Sequence, residues 1–259
     1  YAGEEAGPRY LKSLLGLALD KTKAEFGDFE LVSTDQHENY PRLIAQLNKG
    51  VYTNFVMKVS VTDEILNNYN VIKFPLDRGV TGYRIAFTTQ KNAQKKCDNI
   101  NINDIAEQLT VQGLGWLDTD ILKYNHFNVY GVARSQQMFQ MIKYKRAQYF
   151  FRGINELFYE SNRFPNQFIE ACFALKYPLP RFFITNKRDN KIAKRIEIGL
   201  KMAFKDGSLI KLWKKHYLEN IRWVNMKERQ IFELQNPFIK TLDDEYLQYN
   251  FKFSELNNP

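Results

Sequence analysis

Apolar residues recur at helical spacing early in the chain: Leu11, Leu14, Leu15, Ala18 and Leu19 fall on one stripe, with Lys12, Asp20 and Lys21 outside it. Pro8 suits the first turn of that helix. An apolar run at 29–32 reads as a strand. A second helix over about 41–48 turns Leu43, Ile44 and Leu47 inward, and Gly50 stops it. Residues 51–61 then read as a buried strand. The same grammar returns further on, with strands expected at 83–88, 109–112, 148–151 and 181–185. Helices fall between them at about 102–108, 119–124, 135–142 and 154–159, the third capped by Ser135 and burying Met138, Phe139 and Ile142. Helices at 190–205 and 209–217 follow the last strand, separated by Asp206 and Gly207. Alternation of this kind argues for an α/β fold with largely parallel sheets. The last 40 or so residues carry no clear period and are expected to wrap the surface or fray.

At 259 residues, the chain exceeds the ~150-residue prior for one domain, so two domains or one large domain are expected. Hydrophobic residues at 44% and charged residues at 25% describe a globular chain rather than a disordered one. No apolar run approaches the ~18 residues that cross a bilayer. Because the sequence opens on Tyr1 and not Met, a removed upstream segment is expected, either a secretion signal or trimmed residues.

Two cysteines exclude a four-thiolate zinc site, and the histidines at 37, 126 and 216 have no ligand spacing. No metal and no cofactor is expected.

Five stretches in fixed order carry a resemblance. The segment "LPRFFITNKRDNKIAKRIEIGLKMAFKDGSLIKLWKKHY" is similar to the C-terminal signature of type II periplasmic solute-binding proteins. That signature is a crossover strand, a polar turn, an amphipathic helix, Asp-Gly and a helix ending in a basic and aromatic cluster. "RLIAQLNKGVYTNFVMKVSVTDE" resembles that family's helix, Gly and strand, and "VIKFPLDRGVTGYRIAF" its first hinge strand. "VQGLGWLDTDIL" and "MFQMIKYKRAQYFFRGINE" resemble the two strand-to-helix turns of its second domain. The resemblance implies a two-lobed α/β fold of mixed, mostly parallel sheets flanked by helices, with a hinge of two crossover strands. Lobe 1 would comprise 1–84 with 182–259, and lobe 2 would comprise 85–181. It further implies a monomeric extracytoplasmic protein, periplasmic once its signal is removed, that closes on a small-molecule solute for ABC-type import through a membrane permease.

Ligand sites on open parallel sheets lie beyond the carboxyl ends of strands. Candidate residues therefore follow the strands: Lys58 and Ser60; Trp116, Asp118 and Thr119; Arg152, Asn155 and Glu156. Glu5 is placed where a first strand would open toward the ligand. Arg152 is the sharpest candidate, because a guanidinium at a strand end presents a planar fork to a carboxylate or phosphate. A salt bridge to Glu156 or another acid of the second lobe is the competing role. Trp116 follows two glycines and offers a stacking face. Asp118 or Thr119 is also placed to cap the helix that follows.

Amino-acid-binding members usually have Thr-x-Glu-Arg after the strand at 51–61, whereas "TDEI" puts Ile65 at the Arg position. Gly153 stands where they carry an acid. These departures argue against a standard α-amino acid and for an anionic or polar solute held by Arg152.

The formal charge of +8 is not concentrated in the second lobe: residues 86–180 hold 11 basic and 8 acidic side chains. Residues 187–215 hold 10 basic and 3 acidic ones, a helical surface suited to water or to an anionic docking partner. No nucleic-acid motif accompanies the charge, so nucleic acid is not an expected partner. Cys97 and Cys172 both fall in the second lobe and can pair if their Cα atoms come within ~7 Å.

A chemotaxis or signalling sensor on the same fold is the alternative function. A dehydratase-like enzyme is a remote one, since Glu156 is the only modest acid candidate and no nucleophile, base and orienter set accompanies it.

Overall fold

The computed structural model describes residues 6–33 and 40–257. The described chain begins with α1 (Ala6–Lys21), α2 (Lys23–Phe26), α3 (Tyr40–Lys49), β1 (Met57–Ser60), α4 (Asp63–Asn68) and β2 (Asn70–Ile72). It continues through β3 (Tyr83–Thr88), α5 (Gln90–Ala93), α6 (Ile102–Glu107), β4 (Thr110–Gly113), α7 (Leu117–Tyr124) and β5 (Val129–Val132). Next come α8 (Ser135–Lys143), β6 (Tyr149–Gly153), α9 (Leu157–Arg163), β7 (Phe168–Ile169) and β8 (Phe173–Lys176). β9 (Arg181–Thr185), α10 (Asn190–Lys205), α11 (Ser208–Trp223) and β10 (Gln230–Glu233) follow, and short 3₁₀ turns close the chain.

Two compact units result. Of the described residues, the first contains 6–33, 40–78, 180–218 and 239–252, and the second 79–179, 219–238 and 253–257. All of 182–259 was expected in the first lobe, but of the described residues 219–238 and 253–257 join the second unit. The cause is strand pairing: β10 runs parallel to β8, with Gln230 opposite Phe173 and Glu233 opposite Lys176. Phe253 adds an edge-on contact with Tyr83 at 5.1 Å.

In the first unit β9 is the middle strand of a three-stranded sheet and is antiparallel to both β1 and β2. The inward residues Met57, Val59, Phe182 and Ile184 meet Leu47, Ile65 and Tyr246 in one core. The α1 stripe centres on Tyr10, Leu14 and Ala18, all fully buried. It packs on α10 so closely that a Cβ at Gly199 would stand 1.9 Å from the Ala18 carbonyl oxygen. The segment 239–252 is anchored here, since the Asp63 carboxylate accepts from the backbone N–H groups of Lys240 and Thr241 at 3.1 and 2.9 Å. Far from fraying, it buries Phe251 in a stack on Trp213 at 4.9 Å.

In the second unit the sheet order is β10-β8-β3-β6-β4-β5, with β7 beside β3. β4 is parallel to β5 and β6, while β3 is antiparallel to β6, β7 and β8. The sheet is therefore mixed, and its parallel part is confined to the strand–helix–strand succession from β4 to β6 and to the β8–β10 pair. Its buried side holds Phe151, Phe173, Leu175 and Tyr177 against Ile105, Ile121 and Leu122 of the helices. Cys97 and Cys172 form a disulfide with Cα atoms 5.0 Å apart.

Several expected elements change. Residues 29–32 form no strand; Val32 is 80% exposed, so the apolar run has no neighbour to bury against. The strand expected at 51–61 shrinks to β1, because the chain turns at Asn54, whose φ is +55°, and leaves Val51 and Tyr52 exposed. Ser135 is the first helical residue of α8, with Arg134 at the cap position.

Candidate functional site

The carboxyl ends of β4 and β6 and the start of β3 meet at one end of the second unit's sheet, where Arg84 of β3 lies opposite Gly153 of β6. Each strand delivers charged or aromatic side chains to that end. After β4 the chain turns through Gly113, Leu114 and Gly115, and the Trp116 indole lies directly over Gly113. A Cβ at 113 would stand 2.2 Å from ring atoms, so only glycine admits the ring there.

Helix α7 begins at Leu117 with Trp116 at its cap position and no side-chain cap bond. Neither Asp118 nor Thr119 caps it, contrary to expectation, because both side chains turn back into the unit. The Thr119 hydroxyl donates to the Gly113 carbonyl at 2.7 Å, fastening the turn. The Asp118 carboxylate pairs with Arg84 and accepts from the Tyr177 hydroxyl at 2.7 Å. Both partners of that ion pair are buried, with side-chain exposures of 1% for Arg84 and 8% for Asp118. Burial lowers the Arg84 pKa, but Asp118, Tyr177 and Glu156 outweigh it and hold the pKa above the ordinary value.

β6 supplies Arg152. Its Nε reaches the two Glu160 oxygens at 2.9 and 2.7 Å, and its Nη2 reaches Oε1 of the same carboxylate at 2.6 Å. Nη2 is also 3.3 Å from Glu156. The guanidinium stands over the Trp116 ring at 5.0 Å and over Phe150 at 5.4 Å. Burial again opposes the charge, and Glu156 and Glu160 together raise the pKa well above the ordinary arginine value.

Glu156 lies between two cations, 3.3 Å from Arg152 and 3.8 Å from Arg84. Its Oε2 also accepts the Gly153 N–H at 3.1 Å. Asn155 is buried, accepting from the Thr81 hydroxyl at 3.4 Å and, through its carbonyl, from Asn220 at 3.3 Å. An aromatic floor supports the arrangement: Phe150 packs edge-on to Phe139 at 5.1 Å, and Phe139 stacks on Phe164 at 3.9 Å.

The structure thus brings together Trp116, Asp118, Thr119, Arg152, Asn155 and Glu156. Lys58 and Ser60 belong to the first unit, on β1, where Lys58 is exposed opposite Phe183 and Ser60 half-buried opposite Arg181. Ile65, found where amino-acid-binding members carry arginine, is a core residue of that unit. Glu5 lies outside the described residues. Sequence reading missed Arg84 and did not name Glu160 as the partner of Arg152. Arg84 had a signal, a lone charge at an inward position of the strand "YRIAF".

Three carboxylates, Asp118, Glu156 and Glu160, thus face two guanidiniums, Arg84 and Arg152. Chemically, such a face offers charge-assisted hydrogen bonds and an aromatic surface. Among the described residues no cluster of side chains suited to a metal ion occurs, and no helix is long and apolar enough to cross a membrane.

No model of a known protein family matches the sequence, and no curated protein matches it. Solved structures do. The chain is similar to the VFT2 domain of BvgS from Bordetella pertussis, at 15% identity and TM-score 0.59, over 78% of this chain and 83% of that one. It is similar to a periplasmic His/Glu/Gln/Arg/opine family-binding protein from Silicibacter pomeroyi in complex with lysine, at 13% identity and TM-score 0.58, over 81% and 85%. It is also similar to ytmK of Bacillus subtilis, described as a "probable amino-acid ABC transporter extracellular-binding protein", at 15% identity and TM-score 0.58, over 80% and 87%. The fold is that of the two-lobed type II periplasmic binding proteins.

Proposed function

We propose that this chain is an extracytoplasmic solute-binding protein that captures a small polar solute on the face formed by Trp116, Arg152 and Glu156 and serves an ABC-type importer. The observation that carries this reading is the convergence of charged and aromatic side chains at the carboxyl ends of β4 and β6, where open α/β sheets bind ligands. Likeness to the Silicibacter and Bacillus binding proteins supports it. No covalent chemistry is required, since binding energy alone does the work of capture.

Lys58 and Ser60 of the first unit remain candidates for contacts of their own. A second reading, a ligand-sensing domain, is favoured by the likeness to the VFT2 domain of BvgS. A permease and an ATPase encoded beside this gene would favour import.

A thermal-shift screen over acids, amines, peptides and sugars tests the capture of a solute. At a hundredfold excess over Kd a ligand adds ~2.7 kcal/mol. In a domain of this size that raises the melting temperature by roughly 5–10 °C. Calorimetry of the hit should then show affinity changed at least tenfold in Arg152→Ala, since the substitution removes one positive charge from the face. A panel that leaves the melting point unmoved, or equal affinity in wild type and Arg152→Ala, would count against the assignment.

A further inference from the structure

Arg152 was expected to offer its fork to a ligand carboxylate, but the Nε–Nη2 side of the guanidinium is already filled. Glu160 spans Nε and Nη2 with distances of 2.6–2.9 Å, the side-on bidentate geometry that a bound carboxylate would adopt. Glu156 takes a further contact with Nη2 at 3.3 Å. The occupant belongs to the protein and sits on α9, eight residues along the chain from the arginine it neutralises. It is not sealed away: the Arg152, Glu156 and Glu160 side chains are 12%, 23% and 19% exposed. A solute arriving on this face therefore meets a guanidinium with a carboxylate already seated on it, and a second carboxylate, Glu156, beside that.

We propose that Glu160 is a built-in counter-anion that sets the charge selectivity of this face. It excludes carboxylate solutes from Arg152 and leaves the excess acid to favour a solute bearing an ammonium or guanidinium group. The inference rests on the solute-binding reading above and deepens it.

The reasoning is electrostatic. A carboxylate solute must either displace Glu160 from Arg152 or approach a face on which three acids outnumber two guanidiniums, with the Nε–Nη2 side of Arg152 closed. A cationic solute incurs neither cost. It finds the Glu156 and Glu160 oxygens beside the aromatic surface of Trp116 and Phe150, on which the Arg152 guanidinium itself stands at 5.0 and 5.4 Å.

Two probes separate the possibilities: succinate, a dicarboxylate, and agmatine, which carries a guanidinium and an amine without a carboxylate. Both are titrated by calorimetry into wild type, Glu160→Gln and Glu160→Asp, with circular dichroism as the check on folding. Wild type should bind agmatine at least tenfold more tightly than succinate. Glu160→Gln should gain at least tenfold in affinity for succinate and lose affinity for agmatine. Glu160→Asp is one methylene too short to span both nitrogens while staying on α9, so it should gain succinate affinity to a lesser degree. It carries the test if the glutamine variant does not fold.

If both variants keep the wild-type preference between the probes, the proposal is overturned while solute binding stands. If neither probe nor any compound of the wider panel binds wild type or variant, the solute-binding reading falls and this proposal with it.

Discussion

Asp118→Asn removes the charge that faces Arg84 while preserving side-chain shape. The guanidinium cannot move to water, because its side chain is 1% exposed and Asp118 itself is 8% exposed. Breaking a buried ion pair from one side costs about 3–5 kcal/mol, since the remaining charge is left uncompensated. Here the lower end is expected, because Glu156 stays 3.8 Å from Arg84 and supplies part of the missing field. About 3 kcal/mol corresponds to a melting temperature lowered by roughly 6–12 °C. Urea unfolding followed by circular dichroism measures the free energy directly.

The control is a triple variant, Arg84→Met with Asp118→Leu and Tyr177→Phe. It removes both charges together with the hydroxyl that donates to Asp118. A well-packed apolar replacement of a buried ion pair is often neutral or better, so the triple variant should return to within about 1 kcal/mol of wild type. If Asp118→Asn costs under 0.5 kcal/mol, on the order of a surface change, or if the triple variant is no more stable than the single one, the buried-charge argument is refuted.

Other expectations follow from the same structure. The Cys97–Cys172 disulfide closes a loop with a sequence separation of 75. By the loop-entropy relation it contributes about 4.5 kcal/mol, so Cys97→Ser with Cys172→Ser should melt roughly 9–18 °C lower. Gly199→Ala drives a methyl into the Ala18 carbonyl and should cost about 3 kcal/mol in chemical denaturation, with no direct effect on the charged face. Glu170 is buried, and its pKa is raised above 4.5 chiefly by burial. The folded state therefore holds its proton more tightly than the unfolded chain. That contribution to stability is complete below pH 4.5 and is lost as pH rises through the folded value. Glu170→Gln should accordingly show a smaller decline in stability than wild type as pH rises from 4.5, measured by urea midpoints across that range.

How much of this was legible in the sequence depends on the scale of the signal. Long amphipathic stretches were readable because 3.6-residue periodicity survives over several turns: α10 falls at 190–205 as expected, and α1 buries Leu14 and Ala18 from the expected stripe. Strands flanked by turn residues, such as β3 and β9, were equally clear. Short strands such as β5, β7 and β10 were not, because each has only two to four residues and is defined by its neighbour in the sheet. β10 also reassigned the end of the chain, a pairing that local sequence does not encode.

At the site, strand ends located Arg152, Glu156, Trp116 and Asp118, since position along the chain suffices for that. Their partners were less readable. Which acid takes the Arg152 fork depends on how α9 turns back along β6, and the Arg84–Asp118 pair joins positions 34 residues apart in sequence. Asp118 and Thr119 show the same limit, because the side chains expected at the helix cap instead serve an ion pair and a turn.

The β8–β10 pairing also bears on synthesis. β8 begins at Phe173 and its parallel partner β10 at Gln230, so the edge of the second unit's sheet waits for a strand made 57 residues later. At about 5–20 residues per second that is a delay of roughly 3–11 s. Throughout it Phe173, Ala174 and Leu175 present an uncovered hydrogen-bonding edge. During translation, then, this border is open to pairing with another nascent chain. Cys172, one residue before it, has been made by then together with Cys97. Closing that disulfide early would fix the start of β8 in place before its partner strand exists.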